Sequence, residues 1–159
     1  MKRILAGFAL WLCLMAWLSG CNNTPTVTAE CGLQIELTGN EDTLEGVAAC
    51  QHAAIKFGLV TCESMARFRV EFRDTDTWID EAGESVAGVT YCSGVIQVGS
   101  AAKHPAYSGA LIHEFRHIQD CPWSVSHEGW KGDGGVFDTI EQARYAAAEE
   151  DGRPVWGAQ

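Results

Sequence analysis

The 159-residue sequence has no C-x-x-C pair among its seven cysteines, which disfavours a cysteine-ligated zinc knuckle. Basic residues are scarce. Eleven Lys plus Arg stand against 21 Asp plus Glu, a formal charge of −10. A surface of that sign repels phosphate backbones and argues against nucleic acid as a partner. No apolar run reaches the roughly twenty residues that a membrane span needs; Ile4 to Leu18 stops at about fifteen. Internal repeats and low-complexity tracts are missing too. With 47% hydrophobic and 20% charged residues the chain is an ordinary globular one, and wholesale disorder is excluded. At this length a single domain is expected.

Lys2 and Arg3 followed by the short apolar run form a signal-peptide pattern. The run ends in Leu18-Ser19-Gly20-Cys21, and no A-x-A-like site competes with it. This tetrapeptide resembles the lipobox of bacterial lipoproteins. The resemblance implies removal of residues 1–20, a diacylglyceryl thioether on Cys21, and anchorage of the mature chain to a lipid bilayer of the bacterial cell envelope. Asn22 after the Cys implies outer-membrane sorting, facing the periplasm, in a Gram-negative host. Loss of Lys2 and Arg3 takes the charge to about −12. An uncleaved anchor and plain secretion are the alternatives. Residues 21–30, polar and carrying Pro25, read as a tether, and 31–159 as the folded domain.

Export gives the other cysteines a use. Cys31, Cys50, Cys62, Cys92 and Cys121 would meet an oxidising compartment, where disulfides are expected. Their odd number implies two bridges and one remaining thiol, with the pairing left open.

Periodicity predicts a mixed α/β order. Cys31 to Leu37 alternates as a strand. Thr43 to Phe57 has helical spacing, with Thr43 as N-cap and Gly58 as stop. Arg67 to Phe72 alternates again, and 74–86 is an acidic, Gly-containing connection. Gly88–Tyr91 and Val95–Val98 flank Cys92-Ser93-Gly94 as a hairpin. A helix is expected from Pro105 to Asp120, closed by Pro122, with Leu111, Phe115 and Ile118 as its buried stripe. A last helix spans about Phe137 to Glu150.

The chemistry concentrates in His113-Glu114-Phe115-Arg116-His117, an H-E-x-x-H sequence inside a predicted helix. Residues four apart sit one turn apart on one face, so the two imidazoles can close on a single tetrahedral Zn²⁺. Glu114 lies about 100° round from His113. That offset suits a general base acting on water at the metal rather than a ligand. His113 and His117 share a face with Ala106 and Ala110, apart from the apolar stripe, which leaves room for a cleft.

This motif resembles that of zincin metallopeptidases. The region from about Thr43 to Asp151 is similar in element order to the small zincin core: backing helix, sheet with an edge strand, motif helix, following helix. The resemblance implies an α+β domain with a mixed sheet, one zinc ion, and hydrolysis of a peptide or protein substrate. It also implies an edge strand that pairs with extended peptide, for which Val95–Val98 is the candidate because it precedes the motif helix. The metzincin pattern is excluded, since Asp120 and Trp123 stand where its Gly and third His belong. A gluzincin-like arrangement makes Glu141, on the following helix, the third ligand. The thermolysin-like Asp four residues later is replaced by Tyr145.

His127, in the Trp- and Gly-rich stretch from Trp123 to Gly135, is the rival third ligand. His127, Tyr145 or Arg144 could instead stabilise the oxyanion. Asp133 and Asp138 are weaker ligand candidates, resembling an aspzincin only in residue type. Asp120 is read as a hydrogen-bond partner of a ligand, and Cys121 as a disulfide pinning the helix end. His52 and His104 are expected to lie away from the metal. The acidic residues of 74–84 lack EF-hand spacing and read as a solvated loop. Membrane-anchored zinc peptidase is the expected function. A non-catalytic zinc-binding or structural envelope lipoprotein is the alternative.

Overall fold

Short alternating segments and three longer helices order the chain as β1 (Thr26–Thr28), a 3-10 turn (Glu30–Gly32), β2 (Gln34–Glu36), α1 (Asp42–Lys56), α2 (Cys62–Met65), β3 (Arg69–Phe72), β4 (Trp78–Ile79), β5 (Ser85–Val86), β6 (Gly88–Tyr91), β7 (Val95–Val98), a second 3-10 turn (Ser100–Lys103), α3 (Ala110–Asp120) and α4 (Val136–Glu150). The computed structural model describes residues 25–36, 42–103, 109–121, 127 and 129–153. The leader, Cys21, Asn22, Leu37, His104, Pro105, Ala106, Pro122 and Trp123 lie outside them. No helix among the described residues is long and apolar enough to cross a membrane.

The α+β expectation holds. Five strands form a mixed sheet in the order β1-β2-β3-β7-β6, and β4 pairs with β5 in a separate small hairpin. Parallel pairing joins β2 to β3 and β3 to β7; the outer pairs β1–β2 and β6–β7 are antiparallel. Pairing Ile35 with Val70 and Val70 with Ile96 lines up one apolar face. These residues, with Val98 and Phe68, are buried beneath the helices. The opposite face carries Gln34, Glu36, Arg69, Glu71 and Gln97, as period-two alternation demands.

Helix α1 is the backing helix, packing against α4 and α3. Ala49, Ala53 and Ala54 on α1, and Ala143, Ala147 and Ala148 on α4, are buried, and side chains this small let helices approach closely. Gly58 ends α1 as expected: its φ is +69°, its N–H donates to Ile55 O, and the Leu59 N–H donates to Ala54 O, the paired bonds of a Schellman stop. In α3 the stripe of Leu111, Phe115 and Ile118 is buried.

Four expectations need correction. The tether does not run to residue 30, because Thr26–Thr28 pairs antiparallel with β2 and adds an edge strand of β-branched residues. The strand expected from Cys31 is shorter. Cys31 has a left-handed backbone (φ 59°) within the 3-10 turn, where it is disulfide-bonded to Cys62. The strand expected from Arg67 begins at Arg69, after a turn in which the Phe68 N–H donates to Met65 O. Finally, Val95–Val98 is not an edge. It is paired on both sides, by β3 and β6, and among the described residues β6 is the edge strand at this end of the sheet. A hairpin's second strand can turn inward as readily as its first, and sequence order does not say which.

Candidate metal centre

Helix α3 presents His113 and His117 one turn apart, with their Nε2 atoms 3.1 Å from each other. His127, in the loop after α3, brings its Nε2 to 2.7 Å from that of His113 and 3.2 Å from that of His117. Among the described residues these three are the one group of His, Cys, Asp or Glu whose donor atoms converge as metal ligands. Three nitrogens at 2.0–2.1 Å from a tetrahedral zinc would sit about 3.3 Å apart. The group fits with a few tenths of an ångström of opening.

The two donors on α3 are also in the right protonation state. His113 and His117 are each pushed down to about 4, first by burial and then by repulsion from a neighbouring imidazole. Both are therefore neutral at pH 7, the form that binds a metal.

An indole backs the group. Trp130, 3% exposed, stacks on His117 with ring centroids 4.6 Å apart and planes at 28°. It also lies 5.1 Å from the His113 ring and 4.9 Å, edge-on, from His127. Phe137 packs 5.6 Å from Trp130.

Glu114 is 4% exposed and lines the same cleft as the three histidines. Burial raises its carboxyl to about 7, against hydrogen bonding from Thr90 that favours the ionised form. Thr90 Oγ1 is 2.7 Å from Glu114 Oε2 and 3.0 Å from Glu114 O, so one hydroxyl steers both the carboxylate and the helix backbone. Gly88, two residues earlier on β6, lies against the same carboxylate. A Cβ there would come within 2.7 Å of Glu114 Cγ and Oε1. The absent side chain is what makes room for the acid.

The cleft has a volume of about 620 Å³. Val86 to Thr90 form one wall, Gly109, Ala110 and Ile140 another, and Asp80 and Glu84 contribute acidic side chains from the β4–β5 hairpin. A disulfide, Cys92–Cys121, ties the β6–β7 turn to the C-terminal end of α3. The edge strand that holds Glu114 is thus bonded to the helix that carries two imidazoles. Among the described residues Cys50 is the remaining thiol, fully buried.

Glu141 does not join the group. On α4 the inward positions are Ile140, Ala143 and Ala147, which leaves Glu141 facing outward in an ion pair with Arg144 at 2.9 Å. His127 takes the third place instead. Tyr145 is 42% exposed and, like Arg144, is not part of the cleft wall formed by the described residues. Asp138 accepts from the Gly134 N–H at 2.6 Å at the start of α4, and Asp133 is exposed. Asp120 Oδ1 accepts from Arg116 at 2.6 Å and serves neither histidine directly. His52 lies apart from the group, between Glu30 and Glu150.

Thr90, Gly88 and Trp130 carry weight that the sequence reading did not assign. For Thr90 a signal existed: it is a polar residue at an inward position of an alternating strand. No protein-family model matches the chain, and no match is found among curated proteins or among solved structures.

Proposed function

We propose that this chain is a zinc-dependent peptidase, anchored to a bacterial envelope membrane through lipidated Cys21. One observation carries the reading: three imidazoles converge within 3.2 Å beside a buried, cleft-facing carboxylate. His113, His117 and His127 would hold the ion, which supplies Lewis acidity and lowers the pKa of water bound to it. Glu114 takes the proton of the attacking water and returns it to the leaving amine. Its elevated pKa suits both transfers near neutral pH. Thr90 and Gly88 hold the carboxylate in the orientation that this needs. The edge strand β6 along the cleft offers backbone donors and acceptors to an extended peptide. Two disulfides accord with the oxidising compartment that export implies.

The test is Glu114→Gln. Hydrolysis of a broad peptide library should fall on the order of 10²–10⁴-fold, the usual weight of a general acid/base, while zinc content stays at one ion per chain. If the parent protein is as inert as the variant and both hold zinc, the chain is a zinc-binding lipoprotein without turnover.

A further inference from the structure

The geometry points to Trp130 as the positioning residue of the metal centre, orienting all three imidazoles at once. The inference rests on the reading of His113, His117 and His127 as ligands. A ligating imidazole ordinarily donates its second ring N–H to a carboxylate, carbonyl or water, which fixes its tautomer and its swing about the side-chain torsions. His117 lacks that support. Its Nδ1 is buried and has no hydrogen-bond partner among the described residues. What the ring has instead is the indole face at 4.6 Å, nearly parallel to it. The same indole meets His113 at 5.1 Å and His127 at 4.9 Å. One rigid side chain therefore limits the rotation of donors that come from two separate segments.

The residue that carries the indole is itself held. The Trp130 backbone N–H donates to the His127 backbone carbonyl at 3.1 Å, closing a turn between the platform and the third ligand's backbone. The Phe137 N–H donates to Trp130 O at 3.4 Å, joining that turn to the start of α4. Arg116, from the motif helix, sets its guanidinium 5.3 Å from the ring centroid. Stacking on a fixed plane thus stands in for that hydrogen bond, and His127 is joined to the histidines of α3 through the same ring.

The experiment compares parent, Trp130→Leu and Trp130→Phe in the full chain, by chelator competition for zinc and by the visible spectrum of the cobalt-loaded protein. Trp130→Leu should weaken zinc binding about 10- to 100-fold, the range for losing a ligand-orienting partner, and should change the cobalt spectrum. Trp130→Phe keeps a face for His117 but loses reach towards the other two rings. It should bind about three- to tenfold more weakly with the parent's spectrum, and it decides the matter if the Leu variant does not fold. A purely structural role would lower stability and leave affinity and spectrum alone. Parental zinc affinity in Trp130→Leu, or in Trp130→Phe should the former not fold, overturns the inference. A parent chain that binds no zinc removes the metal centre, and this role with it.

Discussion

His52 and His117 both sit on helices, and the protein drives them in opposite directions. His52, on α1, is bracketed by Glu150 at 2.6 Å on Nδ1 and Glu30 at 3.0 Å on Nε2. Its pKa is raised above 6.5 because those carboxylates hydrogen-bond to the charged ring, against a smaller opposing effect of burial. His117 is buried beside two other imidazoles and an indole, and is held at about 4. Carboxylates make the first a clamp joining the Glu30 turn, α1 and the end of α4. Other imidazoles make the second a donor with a free lone pair. The residue type is shared, and the neighbours decide the chemistry.

Removing one histidine from each place breaks the comparison most sharply. His117→Ala should reduce zinc affinity by about a thousandfold, since several ligands share a total binding free energy of about 10–16 kcal/mol. His52→Ala should leave affinity within about twofold. Equilibrium dialysis or chelator competition measures both. Equal losses would mean that the three-imidazole group is not the metal centre.

The two disulfides offer the next contrast, because each lies near one of the histidine environments. Cys31–Cys62 secures the turn that carries Glu30, whereas Cys92–Cys121 secures β6 and α3 around the cleft. Replacing either pair by Ser should cost about 3–4 kcal/mol of stability from the loop closed, by urea denaturation. Only loss of Cys92–Cys121 should also weaken zinc binding, because it frees the end of the helix that bears His117.

The smallest effect is in pH. In metal-free protein, NMR of the ring protons should find His52 titrating above 6.5, and His113 and His117 near 4. The signs for stability follow from linkage. His52 contributes stability that is complete below the unfolded value near 6.5 and is lost as pH rises through its folded pKa. The buried pair does the reverse: as pH falls from about 6.5 to about 4, the unfolded chain takes up protons that the folded chain refuses. His52→Gln should therefore flatten the decline in Tm above neutrality by roughly 1–3 °C, the modest yield of a half-exposed ion pair, without touching the acid limb.

Local chemistry explains what could be read beforehand. The motif helix, its Leu111/Phe115/Ile118 stripe, the Gly58 stop and the hairpin around Cys92-Ser93-Gly94 are each written within a few residues, and local torsions and burial suffice to form them. The third imidazole is not local. His127 stands ten residues beyond His117 in sequence, and its ring meets the α3 pair against the indole of Trp130. Glu141 has helical spacing that fits a ligand as well as a solvent-facing residue. Only the packing of Ile140 and Ala143 turns it outward. Strand order is equally remote from any short stretch of sequence, so the swap between β6 and β7 at the cleft edge, and the capture of Thr26–Thr28 as β1, emerge only from the assembled sheet.

Strand order also fixes where a lipid could pull. β1 and β6 occupy opposite rims of the five-stranded sheet, roughly 19 Å apart at about 4.8 Å per spacing. From an acylated Cys21 to Thr26 the backbone can stretch no more than about 18 Å. With Cys21 lipidated as proposed, such a leash would fasten the rim remote from the histidines, and a bilayer against β1 would leave the mouth of the cleft open to whatever diffuses past.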